Sequence, residues 1–184
     1  MNESGSSIAE KAQESAPRMP IGESGLMWLP LTAFMIAADQ LSKAWIVHHF
    51  QPFERHPLLP VLDLSLWFNT GAAWSFLAGA SGWQRWMFVG LAIFVAVGLL
   101  TWMRRLQARA QWLLCISLAL ILSGALGNVT DRIRLGHVVD FVLVHWRNSF
   151  FPAFNVADAA ISVGAVLLLW DAWREHRRGK RMDA

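Results

Sequence analysis

Four apolar runs dominate this sequence, and each is long enough to cross a lipid bilayer. They are Leu26 to Val47, Trp86 to Met103, Trp112 to Val129 and Val156 to Trp173, the first of 22 residues and the others of 18. At 1.5 Å of rise per residue, 18 residues of helix cover about 27 Å, close to a hydrocarbon core of about 30 Å. Inside lipid every backbone polar group must find its partner within the protein, which a helix provides by itself. The runs therefore predict a mainly α membrane protein, a four-transmembrane-helix bundle. Composition agrees: 55% of residues are hydrophobic and 16% charged, more apolar than a soluble domain. Eleven Trp and no Tyr suit spans that end at membrane–water boundaries. The formal charge of +3 is no nucleic-acid signal, because the basic residues collect at span ends rather than on one patch.

Around the runs the chain divides into a tail rich in Ser, Gly, Glu and Pro (1–25), a four-span domain (26–176) and a basic tail (177–184). The first tail lacks apolar periodicity and reads as disordered. A cleaved signal peptide is excluded, because the run that follows exceeds a signal core and no small-residue cleavage site succeeds it. Four spans put both termini on one side. Ten basic residues fall with the termini and the short loop between spans two and three: Lys11, Arg18, Arg104, Arg105, Arg109, Arg174, Arg177, Arg178, Lys180 and Arg181. Only five, Arg55, Arg85, Arg132, Arg134 and Arg147, fall on the other side. By the positive-inside rule the termini are cytoplasmic.

That topology gathers polar groups at the outer ends. Asp39 and Lys43 lie toward the end of span one, Asn128, Asp131 and Arg132 end span three, and Asp158 opens span four. The outer loops are expected to carry structure. Residues 48–82 are too many for a featureless connection, and Leu62, Leu64, Leu66 and Phe68 alternate with Asp63, Ser65, Trp67 and Asn69 as in a strand. In the second loop, 133–155, the β-branched stretch from His137 to Val144 reads as another strand, ended by Pro152. A small external β-sheet over the bundle follows.

Ionisable groups at membrane depth are costly and are read first as functional, yet each has a plain alternative. Asn155 to Asp158 has the spacing of a capping box opening span four. Asp39 and Lys43 stand at i and i+4, the order that favours an intrahelical pair. Asp131 and Arg132 can be a solvated helix end, or Arg132 can grip a phosphate or carboxylate. Asp140 is harder to explain away, being alone among Val138, Val139, Phe141 and Val142 with no adjacent basic residue. A second carboxylate across a cleft would give it a role, since two acids sharing a site divide into proton holder and base. Such a pair hydrolyses a peptide without a metal.

Other chemistries find less support. Cys115 is the single cysteine, and the six histidines form no HExxH or similar ligand set, so neither metal nor other cofactor is expected. A serine–lysine hydrolase would need Lys43, but Ser42 points about 100° away on a helix, and only a distant serine such as Ser75 remains. A non-enzymatic alternative is a small transporter or lipid-binding membrane protein, which would place charges near the midplane and often shows internal repeats. None is found.

Four blocks in order carry a resemblance: Asp39-Gln40-Leu41-Ser42-Lys43; Asn69-Thr70-Gly71-Ala72-Ala73-Trp74-Ser75; Gly127-Asn128 through Asp131-Arg132 and Gly136 to Val138-Val139-Asp140-Phe141; and Phe154-Asn155-Val156-Ala157-Asp158. The chain resembles lipoprotein signal peptidase (signal peptidase II), the bacterial membrane aspartyl protease family. Where this chain has Trp74 the family often has Phe. The resemblance implies a catalytic dyad of Asp140 and Asp158. It also implies supporting or substrate-binding roles for Asp39, Lys43, Asn69, Gly71, Asn128, Asp131, Arg132 and Asn155. The implied reaction is cleavage of prolipoproteins before a cysteine carrying diacylglycerol. The expected setting is the bacterial inner membrane, with the site near the periplasmic face. Lipid-modified prolipoproteins and membrane lipids are the expected partners, nucleic acid is not one, and the protein is expected to act as a monomer.

Overall fold

The computed structural model describes residues 20–71, 82–147 and 149–182. Four long helices carry the fold: α1 (Leu29–His49), α2 (Trp83–Met103), α3 (Trp112–Leu135) and α4 (Val156–Met182). Among the described residues, three have the length and apolarity to cross a membrane: Trp83–Met103, Trp112–Leu135 and Val156–Arg178. The sheet comprises β1 (Arg55–Leu59), β2 (Leu62–Asn69), β3 (Val138–Trp146) and β4 (Ser149–Phe150), antiparallel throughout in the order β1-β2-β3-β4. The mainly helical architecture and the small sheet match the expectation from sequence.

Helix ends differ from the apolar runs in ways that matter for the site. Helix α1 begins at Leu29 with Pro30 in its first turn, where the missing N–H costs nothing, and runs on through His49. Asp39 therefore sits at the middle of α1 rather than toward its end. Helix α3 continues six residues beyond the apolar run, so Asp131 and Arg132 are helical rather than a frayed fringe. It stops at Gly136, whose φ of 86° is the left-handed cap that returns its N–H to Arg132 O at 3.2 Å.

The tail expected to be disordered is structured in its described part. Ser24 and Gly25 are buried, Gly25–Trp28 forms a 3-10 turn, and two backbone bonds strap it to the α2–α3 loop (Gly25 N to Leu106 O and Ala108 N to Glu23 O, both 2.9 Å). Residues 1–19 lie outside the described residues, as do Trp74, Ser75 and Gly79.

Two apolar clusters hold the elements together. One joins Ala96 and Met103 of α2, Leu106 of the loop and Cys115, Leu118, Ala119 and Leu122 of α3, with Leu26 and Trp28 against it. The other seats the sheet on the end of α1 through Ile46, Phe50, Leu66, Val139 and Phe141. Helices α3 and α4 touch backbone to backbone: a Cβ on Gly124 would fall 2.2 Å from Ala157 O. Small residues at such crossings are what lets membrane helices approach closely.

Strand β2 departs from simple alternation. Its pairing with β3 shifts between Leu64 and Trp67, and such an irregularity reverses the phase of the side chains beyond it. Asp63 and Ser65 are buried while Phe68 is exposed. Asp63 is matched in this position by Arg55 on β1 and by His145 on β3, 3.3 Å away. The Arg55 hydrogen bonds hold its carboxyl below the usual range. Strand β1 has no apolar alternation to announce it, and Pro57 sits there because β1 is an edge.

Candidate active site

Asp140 and Asp158 line one cavity of about 1150 Å³, although 18 residues and a strand-to-helix change separate them in sequence. The chain returns because the segment before α4 pairs with β3. Phe154 O accepts from Phe141 N and Val142 N at 3.0 and 2.8 Å, and Phe154 N donates to Val142 O at 3.0 Å. Asn155 follows immediately, next to Asp140, and α4 opens with its N-terminus aimed at the cleft.

Three asparagines aim their amide N–H groups at the two carboxylates, and each is held by what its own oxygen accepts. Asn155 Oδ1 takes Asp158 N at 2.9 Å, which turns its Nδ2 to Asp140 Oδ1 at 2.7 Å. Asn69 Oδ1 takes Gly71 N at 3.0 Å, which turns its Nδ2 to Asp140 Oδ2 at 3.0 Å. Asn128 Oδ1 takes Lys43 Nζ and Asn155 Nδ2, both at 3.2 Å, which leaves its Nδ2 for Asp158 Oδ1 at 2.8 Å. Carbonyl and amino ends are thus assigned by the network itself.

The capping box is real as well. Asp158 Oδ2 accepts from Asn155 N at 3.2 Å, completing the reciprocal pair with Asn155 Oδ1. The structural and chemical readings of Asn155 and Asp158 do not compete: the cap fixes the carboxylate that faces the cavity. Asp140 is 3% exposed. Burial first, and the neighbouring Asp158 charge second, push its carboxyl up to about 7, against partial relief from Asn69, Asn155 and Lys43.

The other expected residues surround this pair. Asp39 and Lys43 make the intrahelical contact at 2.8 Å, and Lys43 also reaches Asp131 at 2.8 Å. Among the described residues Arg132 grips no carboxylate. Its guanidinium donates to Gly71 O at 2.9 Å and Asn128 O at 3.4 Å and lies over the Phe88 ring at 5.0 Å, so it ties the Asn69–Gly71 turn to α3. Ser42 donates to Asp39 O at 2.8 Å, while Lys43 Nζ contacts Asp39, Asp131 and Asn128, so the two do not form a serine–lysine pair. Among the described residues no three His, Cys, Asp or Glu side chains group as metal ligands.

Sequence reasoning missed two contributors. Gln40 donates to Asp39 Oδ2 (3.1 Å) and Asp131 Oδ1 (2.8 Å); a second polar residue beside Asp39 inside an apolar run was its signal. The apolar wall of the cavity, built by Phe150, Phe151, Phe154, Ile161 and Val163 with Arg55 at the sheet side, had none, since aromatic residues in a loop give no hint of what they face.

A family model described as signal peptidase (SPase) II matches residues 31–174. A lipoprotein signal peptidase of Pseudomonas aeruginosa PAO1 is 50% identical over 159 residues, covering 84% of this chain and 92% of that protein. One of Pseudomonas fluorescens Pf0-1 is 48% identical over 165 residues, covering 87% and 95%. Two solved bacterial membrane enzymes share the fold: one at a TM-score of 0.74 and 26% identity, covering 84% of this chain and 92% of its own, the other at 0.69 and 27%, covering 80% and 93%.

Proposed function

The chain belongs to the signal peptidase II family, and on that premise we propose that Asp140 and Asp158 are its catalytic pair. The enzyme is a membrane protease of aspartic type that removes signal peptides from prolipoproteins. The observation that carries the dyad is that both carboxylates line one cavity and are joined through the Asn128 and Asn155 amides.

In this reading Asp140, whose carboxyl titrates near 7, holds the proton, and Asp158 is the base. Asp158 takes a proton from water as the oxygen attacks the scissile carbonyl carbon, while Asp140 gives its proton to the carbonyl oxygen. The tetrahedral diol then collapses: Asp140 recovers a hydroxyl proton, the C–N bond breaks, and Asp158 passes its proton to the leaving amine. Each aspartate ends as it began. The asparagine amides hold both carboxylates in place throughout, so little reorganisation accompanies the change of charge.

The same cavity suits a substrate anchored by lipid. Its polar floor faces an apolar wall of Phe150, Phe151, Phe154, Ile161 and Val163, and a cysteine bearing diacylglycerol would bring the bond before it to the boundary between them. Helix α1 supplies span one of the proposed topology, completing four with α2, α3 and α4. It is inside-out by soluble standards: Asp39, Lys43 and Thr32 are buried while Phe34, Leu41 and Trp45 are exposed. Lipid is the solvent that favours that pattern. In this reading the enzyme works in the bacterial inner membrane, with cytoplasmic termini and the sheet on the periplasmic side, as a monomer without cofactor.

Asp140→Asn and Asp158→Asn are the test. Each is assayed on a diacylglyceryl prolipoprotein in detergent, with folding followed by tryptophan fluorescence. Both variants are expected to fold and to leave the precursor uncut. Normal cleavage by either rules the dyad out.

A further inference from the structure

Beside the two proposed acids lies a second cluster of buried charge: the side chains of Asp39, Lys43 and Asp131 are 2%, 4% and 3% exposed. Lys43 Nζ is 2.8 Å from Asp39 Oδ2, 2.8 Å from Asp131 Oδ2 and 3.2 Å from Asn128 Oδ1, three acceptors for its three N–H bonds. The carboxylates are then used a second time. Asp131 Oδ2 accepts from Val139 N at 3.2 Å, and Asp39 Oδ1 accepts from Ala157 N at 2.9 Å. Val139 immediately precedes Asp140, and Ala157 immediately precedes Asp158.

We infer that Asp39, Lys43 and Asp131 form a positioning triad that sets the separation of Asp140 and Asp158. Each outer carboxylate grips the backbone one residue ahead of one acid, and the ammonium between them fixes the distance from grip to grip. Its third bond orients Asn128, which donates to Asp158. None of the three has its side chain on the cavity, so they act through the residues they hold. The inference rests on the reading of Asp140 and Asp158 given above.

Two arguments favour positioning over plain stability. Buried ion clusters are poor stabilisers, since desolvation consumes most of the attraction and apolar side chains of equal volume commonly do as well. The cluster is also closely built: Gln40 ties Asp39 to Asp131, and Asp39 packs so near α3 that a Cβ on Gly127 would lie 2.7 Å from its Oδ2. A displacement of about 1 Å between reacting groups costs on the order of 10²-fold in rate.

The test measures kcat and KM for Asp39→Ala, Asp131→Ala and the isosteric Asp131→Asn, per folded enzyme in detergent. Thr32→Val is the control. It removes a different buried bond between α1 and α3, Thr32 Oγ1 to Ala119 O at 3.1 Å, far from the acids. Expected are a kcat lowered about 100-fold in the alanine variants and about 10-fold in Asp131→Asn, with KM within about twofold and the control at parental kcat. Asp131→Asn keeps the shape of the site and folds even if the alanine variants do not. A kcat within about twofold of the parent in that variant overturns the inference, as does an equal loss of kcat in Thr32→Val. Asp140→Asn and Asp158→Asn, run in parallel, separate the two claims: if they abolish cleavage while the triad variants keep kcat, only the positioning role falls, and if they cleave, the dyad itself falls.

Discussion

A single buried carboxyl sets two pH dependences that run in the same direction. Asp140 titrates near 7 in the folded protein against an ordinary 3.8. The folded state therefore holds a proton that the unfolded chain releases at lower pH. The associated stability is complete below about pH 4 and is lost as pH rises through 7, a change on the order of a few kcal/mol. Asp140→Asn, neutral at every pH, should melt above the parent at pH 8 by tryptophan fluorescence, and the gap should close toward pH 4. The parent's kcat/KM should fall above pH 7 as the acid form disappears. Asn155 separates cap from donor. Serine caps a helix about as well as asparagine but has no amide to reach Asp140, so Asn155→Ser should melt above Asn155→Ala while kcat drops on the order of 10²-fold in both. From sequence the residue types were legible and their partners were not. Nothing at Asn128 says that its oxygen belongs to Lys43 and its nitrogen to Asp158, because both bonds cross between helices.

Elements were legible in proportion to how far lipid dictates them. Apolar runs mark the starts of α2, α3 and α4 to within three residues, although α3 and α4 continue well past the ends of their runs, and the β-branched stretch after His137 marks β3. What failed was local. The apolar run ends at Val129 and leaves Asp131 and Arg132 open to reading as a solvated fringe, yet Asp131 pairs with Lys43 and Arg132 binds the Gly71 carbonyl. Strand β1 and the ordered turn Gly25–Trp28 carried no periodic signal, since each is held by contacts made from outside itself. The tightest packing is equally silent in sequence: Gly124 reads as an interruption in an apolar helix, whereas it is the point where α3 meets the backbone of α4. Gly124→Leu should force these helices apart, costing about 1–3 kcal/mol from overpacking. The readout is a lower melting temperature, accompanied by lost cleavage because Ala157, the residue displaced, precedes Asp158.

At the scale of the molecule the decisive asymmetry is that polar groups lie inside and apolar ones outside. Phe94 and Leu169 are 77% and 71% exposed while Asp39 is 1% exposed, an arrangement that water would not tolerate and lipid favours. Asp39, Lys43, Asp131 and Asp140 are buried on the side of the helices where the sheet sits, whereas the basic flanks of Arg104, Arg105 and Arg109 lie at the opposite ends of α2 and α3, where the one further buried carboxylate among the described helix residues, Asp171, is paired with Arg174. The proposed topology turns the sheet outward and the basic loop inward, and labelling tests it. The single cysteine is buried in α3, so Cys115→Ala provides a background without an accessible thiol. In that background Trp146→Cys, on the exposed end of β3, should react with a membrane-impermeant maleimide added to intact spheroplasts. Gln107→Cys, in the α2–α3 loop, should react only after permeabilisation. The reverse pattern would put the cleft on the cytoplasmic side, where a diacylglyceryl cysteine delivered to the outer leaflet would not reach Asp140 and Asp158.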